Sequence, residues 1–164
     1  MALFGEKDSR PAYYFNHIDG IPSFAVWQPI KVIFDYQRKE LIIGDKNMDN
    51  INRLKLDQII NVGIVKSQDI TYSQQGSVVK NAVAGGLLFG SVGAIVGGMS
   101  GMQKKSAKKN VDCFVINYRP QSSQYETRVI AFEIPAGSLA GSYLWENLRP
   151  YCKKASPSSS GGYL

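Results

Sequence analysis

A run of 21 uncharged residues, Ala82 to Met102, lies between strand-like segments and restricts the fold more than any other feature. As one straight helix it would be about 31 Å long, close to the thickness of the hydrocarbon core of a bilayer. Its glycines recur at spacings of four, three, four and four and would share one helical face: Gly86, Gly90, Gly93, Gly97 and Gly101. The bulk on the other faces includes Leu87, Leu88, Phe89, Ile95 and Val96. Each glycine in a helix costs about 1 kcal/mol relative to alanine, so this stripe predicts close packing against another helix.

Short strands are predicted on both sides of this run. The first strand is assigned to Ser23–Trp27, and Pro29–Tyr36 and Glu40–Ile43 form a hairpin around a polar turn. Further alternating or β-prone segments are Arg53–Leu56, Ile59–Lys66, Asp69–Ser73, Val111–Tyr118 and Thr127–Ile134. This order predicts an antiparallel sheet or small barrel.

One amphipathic helix is predicted at the C-terminal end. Ser138 can cap it, and apolar residues then recur at helical spacing to about Lys154: Leu139, Tyr143, Leu144, Leu148, Tyr151 and Cys152. Trp145 is expected to plug one end of the barrel, because a small barrel needs a large end cap. The expected fold class is therefore mainly β with one C-terminal helix.

Four segments carry a resemblance to a known family. They are His17–Pro22, Leu56–Val62, the glycine-rich stretch from Val83 to Gly101, and Phe114–Tyr118. Together they resemble a bacterial and phage family of PH-like (GRAM-like) domains with a glycine-zipper insertion. The resemblance implies a bent antiparallel sheet or small barrel, capped by the helix and interrupted by a glycine-rich helical hairpin. It supports the fold far more than it supports an activity.

The expected domain organisation follows from these elements. Residues 1–16 are an N-terminal lead-in, and residues 17–154 form the PH-like domain. Within it, residues 76–110 are the glycine-zipper hairpin insertion. Residues 155–164, rich in serine and glycine, have nothing to bury and are expected to be disordered.

The ends of the insertion restrict its relation to a membrane. If the flanking strands belong to one small sheet, both ends emerge on the same side, which excludes a single membrane span. A helical hairpin remains, with arms near Val78–Leu88 and Val92–Met102, each about 15 Å long and half the hydrocarbon core. The turn would hold backbone groups that lipid cannot satisfy, and oligomerisation is one way to pair them.

The positive charge is local to this insertion. The chain has 19 basic and 13 acidic residues, a formal charge of +6. Five of the basic residues lie between Val78 and Asn110, where no acidic residue occurs: Lys80, Lys104, Lys105, Lys108 and Lys109. Subtracting these five leaves 14 basic against 13 acidic, so the rest of the chain is nearly neutral. The lysines are predicted to contact an anionic membrane surface, and nucleic acid is not favoured as a partner. A solvated loop is the alternative interpretation of the lysine run.

No constellation for catalysis, a metal or a cofactor is visible. His17 is the only histidine, and a role in a turn or in packing is favoured over acid–base chemistry. Cys113 and Cys152 form no Cys-x-x-Cys pair and are expected to be buried thiols in a reducing compartment. The glycines match neither of the two glycine-rich nucleotide-binding motifs, the dinucleotide-binding GxGxxG motif and the P-loop motif. The chain is therefore predicted not to be an enzyme and to need no cofactor.

Two functions remain open. The first is a PH-like binding module that self-associates, or attaches to a membrane, through the hairpin and its basic base. The second is a soluble interaction or assembly protein, phage-encoded or bacterial, whose hairpin packs on other copies or on a host protein. The expected partners are the chain itself, an anionic membrane surface or another protein. The expected location is intracellular, in the cytoplasm or peripheral to a membrane, because no secretory signal is visible.

Overall fold

A bent antiparallel sheet forms the body of the protein in the computed structural model, which describes residues 8–66, 71–73, 78–80, 95–97, 111–123 and 126–152. The strands of the described residues are β1 (Ala12–Asp19), β2 (Pro29–Asp35), β3 (Glu40–Asp45), β4 (Ile51–Lys55), β5 (Ile59–Lys66), β6 (Thr71–Ser73), β7 (Val78–Lys80), β8 (Ile95–Gly97), β9 (Asp112–Tyr118) and β10 (Glu126–Glu133). Seven of them run in the order β4-β3-β2-β1-β10-β9-β5, and the sheet is not closed. The mainly β fold class is confirmed, and the arrangement is consistent with a PH-like fold.

The core lies on the concave face of this sheet. Four phenylalanines that point inward from four different strands are fully buried: Phe15, Phe34, Phe114 and Phe132. The rings of Phe15 and Phe132 stack with centroids 5.4 Å apart. Burial of one such side chain stabilises the fold by about 1.5–3 kcal/mol, so the concave face is the main source of stability.

The N-terminal boundary differs from the expected one. β1 begins at Ala12 and pairs with β2 on one side and β10 on the other, so it lies at the centre of the sheet. A lead-in that ends at residue 16 therefore cuts through a central strand. β1 is hard to recognise as a strand from its sequence. Because Asn16, His17 and Asp19 are polar, apolar and polar residues alternate over only part of its length.

The predicted first strand, Ser23–Trp27, is wrong. These residues form reverse turns in the loop that joins β1 to β2. Two backbone donors bond within the loop, from Phe24 N–H to the Ile21 carbonyl (3.1 Å) and from Gln28 N–H to the Ala25 carbonyl (3.2 Å), whereas Trp27 N–H donates to the His17 carbonyl at 2.6 Å. Donors that are paired locally are not available to a sheet ladder, and Trp27 also has a positive φ of 68°.

One helix, α1 (Ala140–Leu148), covers one end of the core, and a single 3₁₀ turn (Arg149–Tyr151) follows it. Leu144 and Leu148 are fully buried, as predicted. Tyr143 was expected on the buried face of the helix but is exposed. The residue of this turn that packs against the core is instead Gly141, which lies close to the Ile134 side chain. Trp145 is half-buried and packs against the core, with the Arg149 guanidinium 5.3 Å from its ring centroid.

The ends of α1 also differ from the predicted ones. The Ser138 hydroxyl accepts a hydrogen bond from Ala140 N–H (3.2 Å), but the helix itself starts two residues later than Ser138. It ends at Leu148 and not near Lys154, because Pro150 cannot continue the ladder of backbone hydrogen bonds.

Between β5 and β9 the described residues form three short strands, β6, β7 and β8. β5 pairs with β9 so that Lys66 lies opposite Asp112, which places both ends of the connecting segment at the same end of the sheet. β7 pairs with β10 at Glu126–Arg128, and β8 pairs in parallel with β6. The helical prediction is therefore wrong for Val78–Lys80 and Ile95–Gly97. The strand conformation of β7 has a physical reason. β1 ends at Asp19 and does not extend along the whole edge of β10, and β7 pairs with the remaining part of that edge.

Candidate binding surfaces

An open cavity of about 600 Å³ lies between β3 and β4 on one side and β9 and β10 on the other. We call it the mouth. Its apolar wall includes Ile43, Leu54 and Ile130, which belong to three different strands. The β1–β2 loop at Gly20–Pro22 and the start of the β9–β10 loop complete the rim. The mouth is thus built where two hairpins diverge at one end of the bent sheet.

The charges of the mouth are largely paired. The Arg53 guanidinium forms an ion pair with the Glu40 carboxylate, and Arg128 donates from Nε and Nη2 to Glu126 Oε2 (3.2 and 3.0 Å). Lys55 adds a third cation at the rim. In each pair the arginine is partly exposed but the carboxylate is largely buried, so loss of the arginine would leave a poorly solvated carboxylate.

Tyr118 lies on the β9 side of the mouth, directly opposite Arg128 in the sheet. Burial raises the pKa of its hydroxyl, and the nearby Arg128 opposes this shift. The hydroxyl therefore stays protonated at neutral pH and can donate a hydrogen bond.

His17 has the structural role that the sequence favoured. Ile21 N–H donates to its Nε2 (3.3 Å), so Nδ1 carries the proton and donates to the Ala25 carbonyl (3.0 Å). Burial lowers the pKa of the ring, which keeps it neutral. The side chain therefore fixes the β1–β2 loop that forms part of the rim of the mouth.

A second surface is the convex side of β9 and β10, which we call the outer face. Six side chains that point away from the core are only 0–4% exposed: Cys113, Val115, Asn117, Thr127, Val129 and Ala131. Strands buried on both sides read as continuous apolar runs, and Cys113–Ile116 and Val129–Phe132 are such runs. These two apolar runs are the sequence signal for a face buried on both sides.

Most residues of the predicted hairpin site cannot be compared with the structure. Gly86, Leu87, Leu88, Phe89, Gly90, Gly93 and Gly101 lie outside the described residues, as do Lys104, Lys105, Lys108 and Lys109. Ile95, Val96 and Gly97 form β8, and Lys80 ends β7 opposite Glu126. Lys80 and β8 thus belong to strands with different backbone partners, although β7 and β8 are in contact.

The described residues hold no candidate metal site and no candidate membrane span. They contain no group of three His, Cys, Asp or Glu side chains that could hold a metal ion. In the same part of the chain, α1 is too short to cross a bilayer, and no longer apolar helix occurs. Both thiols are free: Cys113 is buried, and Cys152 is half-buried.

The open bent sheet with one C-terminal helix over its end defines a PH-like domain. The sequence matches the family described as glycine zipper containing PH domain over residues 23–133, which is more than half of the chain. The chain therefore belongs to the glycine zipper containing PH domain family. The matched region starts after β1 and ends with β10. No curated protein matches the chain. PH-like domains are generally non-catalytic binding modules.

Proposed function

We propose that this protein is a non-enzymatic binding module that self-associates, or attaches to a membrane, through its glycine-rich insertion and the lysines beside it. The observation that carries the proposal is the pairing of Lys66 with Asp112, which makes the insertion leave and re-enter the domain at one end of the sheet. A segment tethered in this way can reach a surface without unfolding the sheet around it.

The distribution of charge supports an anionic surface as one partner. Lys104, Lys105, Lys108 and Lys109 follow the uncharged run with no acidic residue among them. A lysine close to an anionic bilayer contributes about 1 kcal/mol of binding free energy. The proposed arrangement puts the uncharged run toward the membrane and these cations at the lipid headgroups.

Flotation with anionic vesicles tests the membrane proposal. The double variant Lys104→Gln and Lys105→Gln is expected to lose about 2 kcal/mol of binding free energy, which is about a 30-fold weaker partition to the vesicles. The matched control is Lys39→Gln with Lys46→Gln, which removes the same charge from exposed positions of the β2–β3 and β3–β4 turns and should leave flotation unchanged. Equal losses in both variants would show non-specific attraction, and no flotation of the wild type would refute membrane attachment.

A soluble assembly protein, phage-encoded or bacterial, is the second candidate, and the burial of the outer face favours it. β8 belongs to the glycine-rich insertion and lies against β10 and β7. Part of the insertion is therefore packed on protein, which is the arrangement expected if the insertion packs on its own domain, on other copies or on a host protein.

Light scattering tests self-association through the glycines. Substituting leucine for both Gly90 and Gly97 is expected to abolish any oligomer of the wild type, because a side chain at these positions prevents close backbone approach. The conservative double variant Gly90→Ala and Gly97→Ala should retain a larger share of the oligomer. An oligomeric mass that is unchanged in the leucine variant would contradict packing through the glycines.

A further inference from the structure

β4 is an edge strand that runs beside the mouth. In the described part of the sheet it pairs with β3 on one side and has no partner strand on the other. Residues 52–55 of β4 all line the mouth. Successive side chains of a strand point to opposite faces of the sheet, so a cavity that all four residues reach lies beside the strand. The mouth is therefore the space along the free edge of β4.

The register with β3 shows which backbone groups face this edge. Leu56 N–H donates to the Lys39 carbonyl (2.9 Å), which marks a hydrogen-bonded position of the β3–β4 pair. Hydrogen-bonded positions alternate along an antiparallel pair, so Leu54 is bonded to β3, whereas Arg53 and Lys55 turn their backbone groups away from it. The N–H and carbonyl groups of these two residues are therefore directed to the mouth.

One of these groups is already paired by a side chain. Lys55 N–H donates to Gln58 Oε1 (3.0 Å), which agrees with its direction away from β3. The N–H and the carbonyl of Arg53 have no hydrogen-bond partner among the described residues. A donor and an acceptor that face open space at a sheet edge are the groups with which an additional strand pairs. The edge thus offers a complete pairing position, at Arg53, next to an open cavity.

The side chains beside the edge determine what such a strand would carry. Arg53 and Lys55 are exposed, whereas Leu54 is buried and faces the apolar wall of the mouth, to which Ile43 and Ile130 belong. Residues directly opposite each other in paired strands point to the same face of the sheet. An added strand therefore fits with acidic residues opposite Arg53 and Lys55 and an aliphatic residue between them.

The balance of charge around the mouth favours the same occupant. Three cations and one carboxylate line it: Arg53, Lys55, Arg128 and Glu40. Glu126 pairs with Arg128, and this still leaves one cation in excess. The Arg53 side chain is 46% exposed in spite of its ion pair, so its guanidinium can contact a second carboxylate. An acidic strand would be attracted by both cations of the edge.

We propose that the mouth is a site of β-strand addition, at which an extended acidic segment of a partner protein pairs antiparallel with the free edge of β4. The segment has acidic residues opposite Arg53 and Lys55, and the aliphatic residue between them enters the mouth. The two cations also repel strands of positive charge, which protects the edge from indiscriminate pairing. The site uses no residue of the glycine-rich insertion, so it is independent of self-association and of membrane attachment.

A short probe peptide tests the proposal with the full chain. Its sequence is Glu-Ile-Glu-Thr-Val, with fluorescein on a glycine linker. Paired antiparallel, its first and second glutamates lie opposite Lys55 and Arg53, and its isoleucine lies opposite Leu54. Fluorescence polarisation is expected to show saturable binding. Absence of binding would overturn the proposal.

N-methylation of the peptide distinguishes strand addition from other binding modes. A methyl group on the nitrogen of the second glutamate removes the donor to the Arg53 carbonyl and is expected to weaken binding about 10-fold. The matched control carries the methyl group on the isoleucine nitrogen, which points away from β4, and should bind as the parent peptide does. Equal weakening by the two methyl groups would overturn strand addition.

Reversal of the charge of Lys55 tests the register. Lys55→Glu is expected to weaken binding about 10-fold, because attraction to the first glutamate becomes repulsion. A peptide with lysine in place of that glutamate should regain the lost affinity with this variant. Lys46→Glu is the matched control, since it makes the same change at an exposed position of the β3–β4 turn. Equal losses in the two variants would show attraction by overall charge and would overturn the site.

Hydrogen exchange identifies the occupant of the edge. In the free protein, Arg53 N–H should exchange about 100-fold faster than Leu54 N–H, and the peptide should slow Arg53 alone. Slow exchange of Arg53 N–H in the free monomer would mean that the chain itself pairs with β4, and slow exchange that is lost on dilution would assign the edge to a second copy. Either result would overturn the proposal, as would binding of inositol hexakisphosphate at the mouth without binding of the peptide.

Discussion

Replacing Gly20 by alanine is expected to lower the free energy of unfolding by about 3 kcal/mol or more. Gly20 has a φ of +98°, which alone costs an alanine about 1–2 kcal/mol. In addition, an added Cβ would collide with the Val129 carbonyl oxygen and would lie 2.7 Å from Ile130 Cα. Both neighbours are backbone atoms of the central strand β10, so relief requires β1 and β10 to move apart.

Gly137→Ala is the matched control for this prediction. Gly137 also has a positive φ, +76°, but an added Cβ would meet no atom within 4 Å. This variant should lose only the conformational cost, about 1 kcal/mol. Urea unfolding followed by tryptophan fluorescence and circular dichroism measures both values. Equal losses in the two variants would show that close approach to β10 is not what requires glycine at position 20.

Truncating Leu148 to alanine is expected to cost about 2–5 kcal/mol, because this side chain is fully buried where α1 covers the core. The cavity left behind would face the aromatic core, which is built on strands and cannot collapse around it. Tyr143→Ala removes a larger side chain from the same helix, but that side chain is 54% exposed. Its cost should be about 0.5 kcal/mol.

Thermal and urea unfolding of these two helix variants decide whether α1 is an integral part of the fold. A large loss in Leu148→Ala with a small loss in Tyr143→Ala fits a helix that closes the core with one face. Similar losses would mean that the exposed face of α1 is covered in solution. A small loss in both would mean that the sheet is stable without the helix, contrary to the burial of Leu144 and Leu148.

Elements whose pairing is local were predictable from residue patterns. The β2–β3 hairpin alternates apolar residues around a short polar turn, and its strands pair along their whole length. The two buried leucines of α1 recur at helical spacing. The two strands of the hairpin are near each other in sequence, and the helix needs only one buried side. The periodicity of apolar residues and the turn residues are therefore enough to predict both elements.

The mouth could not be predicted in the same way. Its residues come from β3, β4, β9 and β10 and from the segments that join β1 to β2, β4 to β5 and β9 to β10, and they meet only because the sheet bends. Arg128 and Tyr118 occupy inward positions of β10 and β9, where the pattern alone predicts burial in a core. Their polar groups lie where the apolar core ends. Only the strand register, in which Arg128 is opposite Tyr118, shows that the two residues lie at the same end of the sheet.

By itself, the sequence determined that the chain would form antiparallel hairpins and one closing helix, and that its charge excess lies beside one glycine-rich insertion. The tertiary structure alone decided that β1 is a central strand, that β7 pairs with β10 beyond the end of β1, and that the outer face is buried. The reason is physical. The periodicity of apolar residues and the composition indicate which side chains are buried. The partner of a strand or of a sheet face depends instead on the backbone groups and apolar surfaces that elements distant in sequence leave unpaired.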